Sequence, residues 1–184
     1  NGHCSIVKTL FQHRNDISVD IVGWALIETA LSGDLAIIEI LIRQRPDISF
    51  EDVILAFKKA FVSGKYKIVK LLLQQRTDIA AETVDQALIY AAFKGYSSVV
   101  ETLLQQRPAI SAEKVGLALK CSAIKGNSSI TEMLLQRRTD ISSEDVCSAL
   151  IKSCKYGHLS VVEKFLLTQS YISHEKVKLG LSYA

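Results

Sequence analysis

The chain has 184 residues, nearly half of them hydrophobic and 22% charged, with a formal net charge of +3. That balance argues against disorder, and so mild a charge does not point to nucleic acid unless it is clustered. No apolar run reaches the length of a membrane span. No secretory leader is visible, and the four cysteines (Cys4, Cys121, Cys147, Cys154) form no CxxC pair, which fits a reducing compartment such as the cytoplasm.

Glycines at Gly2, Gly33, Gly64, Gly95, Gly126 and Gly157 recur every 31 residues. A fixed period of that size is the signature of stacked repeats. The first residues fall in mid-repeat, so the sequence reads as a fragment of a longer protein, forming a single repeat domain over residues 1–184.

Offsets counted from each glycine give the elements in order. Apolar pairs stand at offsets 4 and 5 (Ile6-Val7, Ile37-Ile38, Ile68-Val69, Val99-Val100) and again at 8 and 9 (Leu10-Phe11, Leu41-Ile42, Leu72-Leu73, Leu103-Leu104). This spacing predicts a short amphipathic helix, helix B, with Glu39, Glu101, Glu132 and Glu163 off the apolar stripe and facing water. Helix B should stop near offset 12, at Arg14, Arg45, Arg76, Arg107 and Arg138, because Pro46 and Pro108 follow two of these arginines. A residue before proline is pushed out of the helical region.

A turn follows, with Asp16, Asp47, Asp78 and Asp140 at offset 14 and isoleucine at offset 15 in every repeat, placed to plug the gap between neighbours. Ser18, Ser49, Ser111, Ser142 and Ser173 then stand where an N-cap belongs, with Ala80 the exception. An acid two residues later (Asp20, Glu51, Glu82, Glu113, Glu144, Glu175) suits the positive end of a helix dipole. Helix A carries valine at offset 20, small residues at 23 and a large apolar residue at 24 (Leu26, Phe57, Leu88, Leu119, Leu150, Leu181) before the next glycine ends it. The pattern predicts twelve helices, no strand and no linker, with the alanines at offset 23 allowing close helix approach.

These residues resemble the ankyrin repeat family. GHLSVVEKFL and GKYKIVKLLL are similar to its second helix, Asp140-Ile141-Ser142 to its Asp-Val-Asn turn, and Ala87, Leu88 and Ala91 to its first helix. The resemblance covers the whole chain. Each unit is two residues shorter than the family's usual repeat, the Thr-Pro-Leu-His tetrapeptide is absent, and arginine stands at offset 12 where the family has glycine. The resemblance therefore implies an all-α, ankyrin-like helical-repeat solenoid of about six repeats, with β-hairpin fingers reduced or absent. A generic two-helix solenoid competes with it, and the tetratricopeptide signature is missing.

No P-loop, dinucleotide turn, GxSxG or HExxH motif is present. The histidines (His3, His13, His158, His174) are scattered, and His3 and His158 share offset 1, as turn or cap residues would. Cys147 and Cys154 lie seven apart on one predicted helix with no histidine beside them, as buried thiols would. No catalytic residue, metal or cofactor is assigned. The arginines at offset 12 can pair with the acids at offset 14 or 18 of the same or next repeat, or can offer a row of cations to an acidic partner.

Specificity is expected where the repeats differ. Offsets 26 and 30 of helix A vary, and Lys59, Tyr90, Lys94, Lys125, Lys152 and Tyr156 are the candidate protein-binding residues on an exposed ridge. Trp24, Ile27, Leu31, Leu55, Val62, Ile89, Phe93, Leu117 and Ile124, at offsets 22, 25 and 29, suit either an inter-repeat core or a groove. The resemblance implies a non-enzymatic scaffold that binds another protein; the mild charge weighs against nucleic acid and the lack of a span-length apolar run against membrane, and the chain is expected to be monomeric in isolation. The alternative is a targeting domain of a larger enzyme or of a secreted bacterial effector acting in a host cell.

Overall fold

A computed structural model of the chain describes residues 2–14 and 16–168. Among these residues it is all-helical, without a strand: α1 (Gly2–His13), α2 (Val19–Ser32), α3 (Leu35–Gln44), α4 (Phe50–Val62), α5 (Tyr66–Gln75), α6 (Ala81–Lys94), α7 (Ser97–Gln106), α8 (Ala112–Lys125), α9 (Ser128–Arg137), α10 (Ser143–Lys155) and α11 (Leu159–Thr168). Odd-numbered helices are the B helices and even-numbered ones the A helices. The expected final helix A, with Glu175, Val177, Leu181 and Tyr183, lies outside the described residues, as do Ile172, Ser173 and His174.

The caps form where the serines are. The N–H groups of Ile21, Asp52, Lys114 and Asp145 donate to the hydroxyls of Ser18, Ser49, Ser111 and Ser142. Ser49 and Ser142 also donate to the carboxylates of Asp52 and Asp145, each at 2.8 Å, so two caps are locked from both sides. Ala80 begins α6 with no side-chain bond. In place of a hairpin, the chain between B and A makes a tight turn, with the Ile48 and Ile110 N–H groups pointing back to the carbonyls of Arg45 and Arg107.

The period glycines from Gly33 onward take φ of 68–95°, a region that side chains with a Cβ rarely adopt. Gly126 has a second constraint. A Cβ there would come within 2.7 Å of the His158 ring. That ring reaches back from the next repeat, with Nε2 2.8 Å from the Ile124 carbonyl. Asn127 repeats the device one unit earlier, donating to the Ala92 carbonyl at 2.7 Å. At Asn127 and His158 the offset-1 residue is thus an inter-repeat tie at the turn, whereas Asp34 at the same offset caps its own helix α3 by accepting from the Ile37 N–H.

The chain divides into two compact units, Asn1–Ile79 and Ala80–Ala184. In the first, α2 packs on α4, α1 on α3 and α3 on α5, while α2 and α4 each rest on the B helix that follows. In the second, α8 packs on both α6 and α10, α9 on both α7 and α11, and each A helix again rests on its own B helix. This is the arrangement of stacked helix pairs, A on A and B on B.

The cores are the predicted stripes. Leu26, Phe57, Ile68 and Leu72 are fully buried in the first unit, and Leu88, Leu103, Leu119, Ile130, Leu134 and Phe165 in the second. Each such side chain contributes about 1.5–3 kcal/mol relative to exposure. Ile48, Ile79, Ile110 and Ile141 at offset 15 are buried as well. On α1 the stripe is uncovered, and Ile6 and Leu10 are 58% and 49% exposed where Ile68 and Leu72 are at 1% and 0%.

Close helix approach rests on more than the alanines. At Gly23 and Gly116 an added Cβ would overlap the carboxylates of Asp52 and Asp145 on the neighbouring A helix. Asp145 also accepts from Lys120 Nζ at 2.8 Å.

Candidate functional site

The A helices bury valine and leucine on one side; residues at offsets 22 and 26 are exposed on α2 and α4 but, Gln86 apart, half-buried on α6, α8 and α10, and those at offsets 29 and 30 are mostly exposed. Helix periodicity alone does not decide between core and groove for offsets 22, 25 and 29, because α2 and α4 are apolar over much of their circumference. The structure separates them. Trp24, Leu31, Leu55 and Val62 are exposed in the first unit, Trp24 by 65%, and Phe93 is exposed in the second. Ile27 is buried, and Ile89, Leu117 and Ile124 are half-buried.

Pairs seven residues apart on one helix, Trp24–Leu31 and Leu55–Val62, project on one face, and α2 and α4 are packed together. These four side chains therefore form an apolar stripe. Trp24 is not among the six candidate binding residues. Seven-residue spacing groups it with Leu31, as it groups Leu55 with Val62, but only their exposure shows that these pairs face out.

Of the six candidate residues, Lys59 lies exposed on α4 in the first unit. The other five lie in the second. Lys94 Nζ stands 5.7 Å from the ring centre of Tyr90, one turn earlier on α6. Lys125 Nζ stands 4.4 Å from the ring of Phe93, which joins α8 to α6 through a cation–π contact. Such contacts contribute about 0.5–1 kcal/mol at exposed sites. Tyr156, 53% exposed, caps α10, and its N–H donates to the Lys152 carbonyl. Lys152 is half-buried and close enough to Cys121 for its charge to be felt there. The expected exposed ridge is only partly exposed: Lys94, Lys125 and Tyr156 face solvent, Tyr90 and Lys152 are half-buried because offset 26 lies closer to the neighbouring A helix, and Lys59 belongs to a different unit.

Cys147 is buried as expected, while Cys154, Cys121 and Cys4 are half-buried. Burial pushes the Cys121 thiol up, against the pull of Lys120 and Lys152, and likewise raises Cys154, against hydrogen bonds from Ser153 and its own backbone. A raised thiol pKa disfavours the nucleophilic thiolate at neutral pH. All four cysteines are free.

The arginine row is engaged with its own turns. Arg14, Arg45, Arg76 and Arg138 each grip the aspartate two residues on through two parallel bonds, at 2.6–3.1 Å. Those bonds hold Asp16, Asp47, Asp78 and Asp140 below the ordinary carboxylate value, the arginine hydrogen bond being the main cause in each. Arg45 and Arg138 also donate to the carbonyls of Ile17 and Ile110 in the preceding repeat, at 2.6 and 2.8 Å. The pairing is therefore with the same repeat's aspartate, and the guanidinium ties repeats together through backbone. On the B side, Glu101 pairs with Arg137 and Glu132 with Lys164, at 2.6 and 2.8 Å. These glutamates bridge neighbouring B helices rather than simply facing water.

Among the described residues no cluster of three His, Cys, Asp or Glu side chains has metal-binding geometry, and no helix is long and apolar enough to cross a membrane. A family model described as ankyrin repeats (three copies) matches residues 26–114 and 53–145. No curated protein matches the chain.

Proposed function

The chain belongs to the ankyrin-repeat family, and on that premise we propose that it is a non-enzymatic scaffold which binds a partner protein along the exposed face of its A helices. Repeats of this family generally serve as protein-interaction modules. The observation that carries the choice of face is the outward display of Trp24, Leu31, Leu55 and Val62 in one unit and Phe93 and Tyr156 in the other, with Tyr90 half-buried beside them. Aromatic residues dominate interface energetics, and here they stand on a scaffold whose interior does not need them. The arginine row is a poorer candidate, because four of its five cations are already matched by aspartates.

Partner capture with variants of the full chain tests this reading. Truncating an interface aromatic that becomes buried on binding costs about 2 kcal/mol or more, and a rim lysine much less. Tyr90→Ala and Tyr156→Ala should therefore each weaken binding more than any of Lys59→Ala, Lys94→Ala, Lys125→Ala or Lys152→Ala. Binding intact in both tyrosine variants but lost in Arg76→Ala would move the functional face to the other side of the repeats.

A further inference from the structure

The outward apolar pairs of the first unit sit in a divided field of charge. Trp24 and Leu31 on α2, and Leu55 and Val62 on α4, are exposed, and each pair spans two turns, about 10.5 Å along its helix. The repeat does not require apolar residues at these offsets, which hold Gln86 on α6 and Ser148 and Lys155 on α10. Lys58 and Lys59 stand three or four positions from both Leu55 and Val62, on the same exposed face. The lysines that pair with a carboxylate among the described residues are Lys114, Lys120 and Lys164. Lys58 and Lys59 are therefore not neutralised by such a pair, and residues 53–77 contain no aspartate or glutamate at all. On α2 the sign is reversed: it carries Asp20 and Glu28, both exposed, and no lysine or arginine. The two helices lie side by side, with Asp52 of α4 against Gly23, the neighbour of Trp24.

Resting on the reading that the A-helix face binds protein, we propose that α2 and α4 take an amphipathic helix of the partner, apolar along its centre, acidic on the edge over α4 and basic on the edge over α2. The backbone carries the choice of a helix. Residues 24–31 and 55–62 lie inside α2 and α4, where N–H and C=O groups already bond along the helix. An extended segment laid on them would bury peptide groups with nothing to receive them, and the described residues hold no strand edge for it to join. A helix satisfies its own backbone. Its side chains at i, i+4 and i+7 form one apolar stripe with the same two-turn span as Trp24–Leu31 and Leu55–Val62. The charges fix the edges, since Lys58 and Lys59 favour carboxylates over α4 and Glu28 favours a cation over α2. A uniformly anionic surface such as a lipid bilayer fits less well, because it would also meet Asp20, Glu28 and Glu51, all exposed on the same two helices.

The test is fluorescence anisotropy of the full chain with a labelled peptide stapled into a helix, bearing leucine at i, i+4, i+7 and i+11, glutamate along one edge and lysine along the other. The controls are an unstapled peptide with proline at two central positions, which cannot stay helical, a stapled peptide with lysine on both edges, and phosphatidylserine vesicles. Binding of the first peptide is expected. It should weaken by about tenfold or more in Trp24→Ala/Leu55→Ala. It should weaken several-fold in Lys58→Glu/Lys59→Glu, the loss being larger at low salt, and that variant should bind the peptide with lysine on both edges more tightly than the unaltered chain does. Lys67→Glu/Lys70→Glu on α5 should change nothing. Circular dichroism checks that all three variants keep their helix content. No binding, equal binding of the proline peptide, vesicle binding that is lost in the same variants, or no gain on charge reversal overturns the proposal. If the helical peptide fails while a captured partner is still released by Tyr90→Ala and Tyr156→Ala, only the occupant assigned to α2 and α4 is wrong. If those tyrosine variants retain the partner, the reading of the face is wrong.

Discussion

Ala80→Ser is the sharpest probe of how the repeats are built. Ala80 already holds φ −58° and ψ 141°, beside φ −59° and ψ 148° at Ser49 and φ −62° and ψ 144° at Ser142. The backbone is therefore preset for a cap, and Ala80 is exposed, so a hydroxyl meets no steric barrier. A serine at an N-cap contributes about 0.5–2 kcal/mol over alanine. The third residue of α6 is Thr83, not an aspartate like Asp52 or Asp145, so the reciprocal lock of Ser49 and Ser142 is missing and the lower half of that range applies, about 0.5–1 kcal/mol. Such a gain raises the thermal midpoint of a chain this size by about 2–4 °C at most. Urea unfolding should show the gain, and amide exchange should locate it in the first turn of α6. Ser111→Ala, which removes a cap of the same simple kind, should lose a similar amount, and Ser49→Ala should lose more. A neutral Ala80→Ser together with a neutral Ser111→Ala would refute capping as the reason for serine at this position.

Gly126→Ala should destabilise more than Gly157→Ala. Both have positive φ, with a cost of about 1–2 kcal/mol for a Cβ, but only at Gly126 does the new atom also meet a neighbour, the His158 ring, whereas no described atom lies within 4 Å at Gly157; chemical denaturation of the two variants checks the order. Acidification should lower stability through the Arg–Asp turns. Asp78 and Asp140 have pKa values below the ordinary 3.8, so their contribution is whole above the unfolded value and is lost as pH falls through the folded one. Urea midpoints between about pH 5 and 2.5 should fall, and Asp78→Asn/Asp140→Asn should flatten that slope.

The fold was legible because its signals are local and repeated. Each serine cap, each glycine at a helix end and each B-helix stripe acts within a few residues, and the 31-residue period shows each of them several times over. Ala80 is instructive in the same way, since the one repeat without serine is the one without a side-chain cap at that helix. What was not legible depends on the neighbouring repeat. Whether Arg45 would choose its own aspartate, and that it would also reach Ile17, depends on how far apart successive turns lie. The fit of Asp52 against Gly23 needs the register between α2 and α4. Among the site residues, Lys94 with Tyr90 follows from their four-residue spacing. Lys125 over Phe93 does not, because it crosses between helices. Trp24 is ambiguous for a different reason: on a helix apolar over most of its surface, periodicity cannot say which side faces out.

Photo-crosslinking from the full chain tests the location of the binding face most directly. A benzophenone amino acid replaces Lys59 on the A side or Lys70 on the B side, both exposed positions, and captured partner is irradiated and resolved by mass. Partner adducts from position 59 and none from position 70 are expected. Adducts from position 70 alone would contradict the assignment of the A-helix face as the surface through which this protein binds.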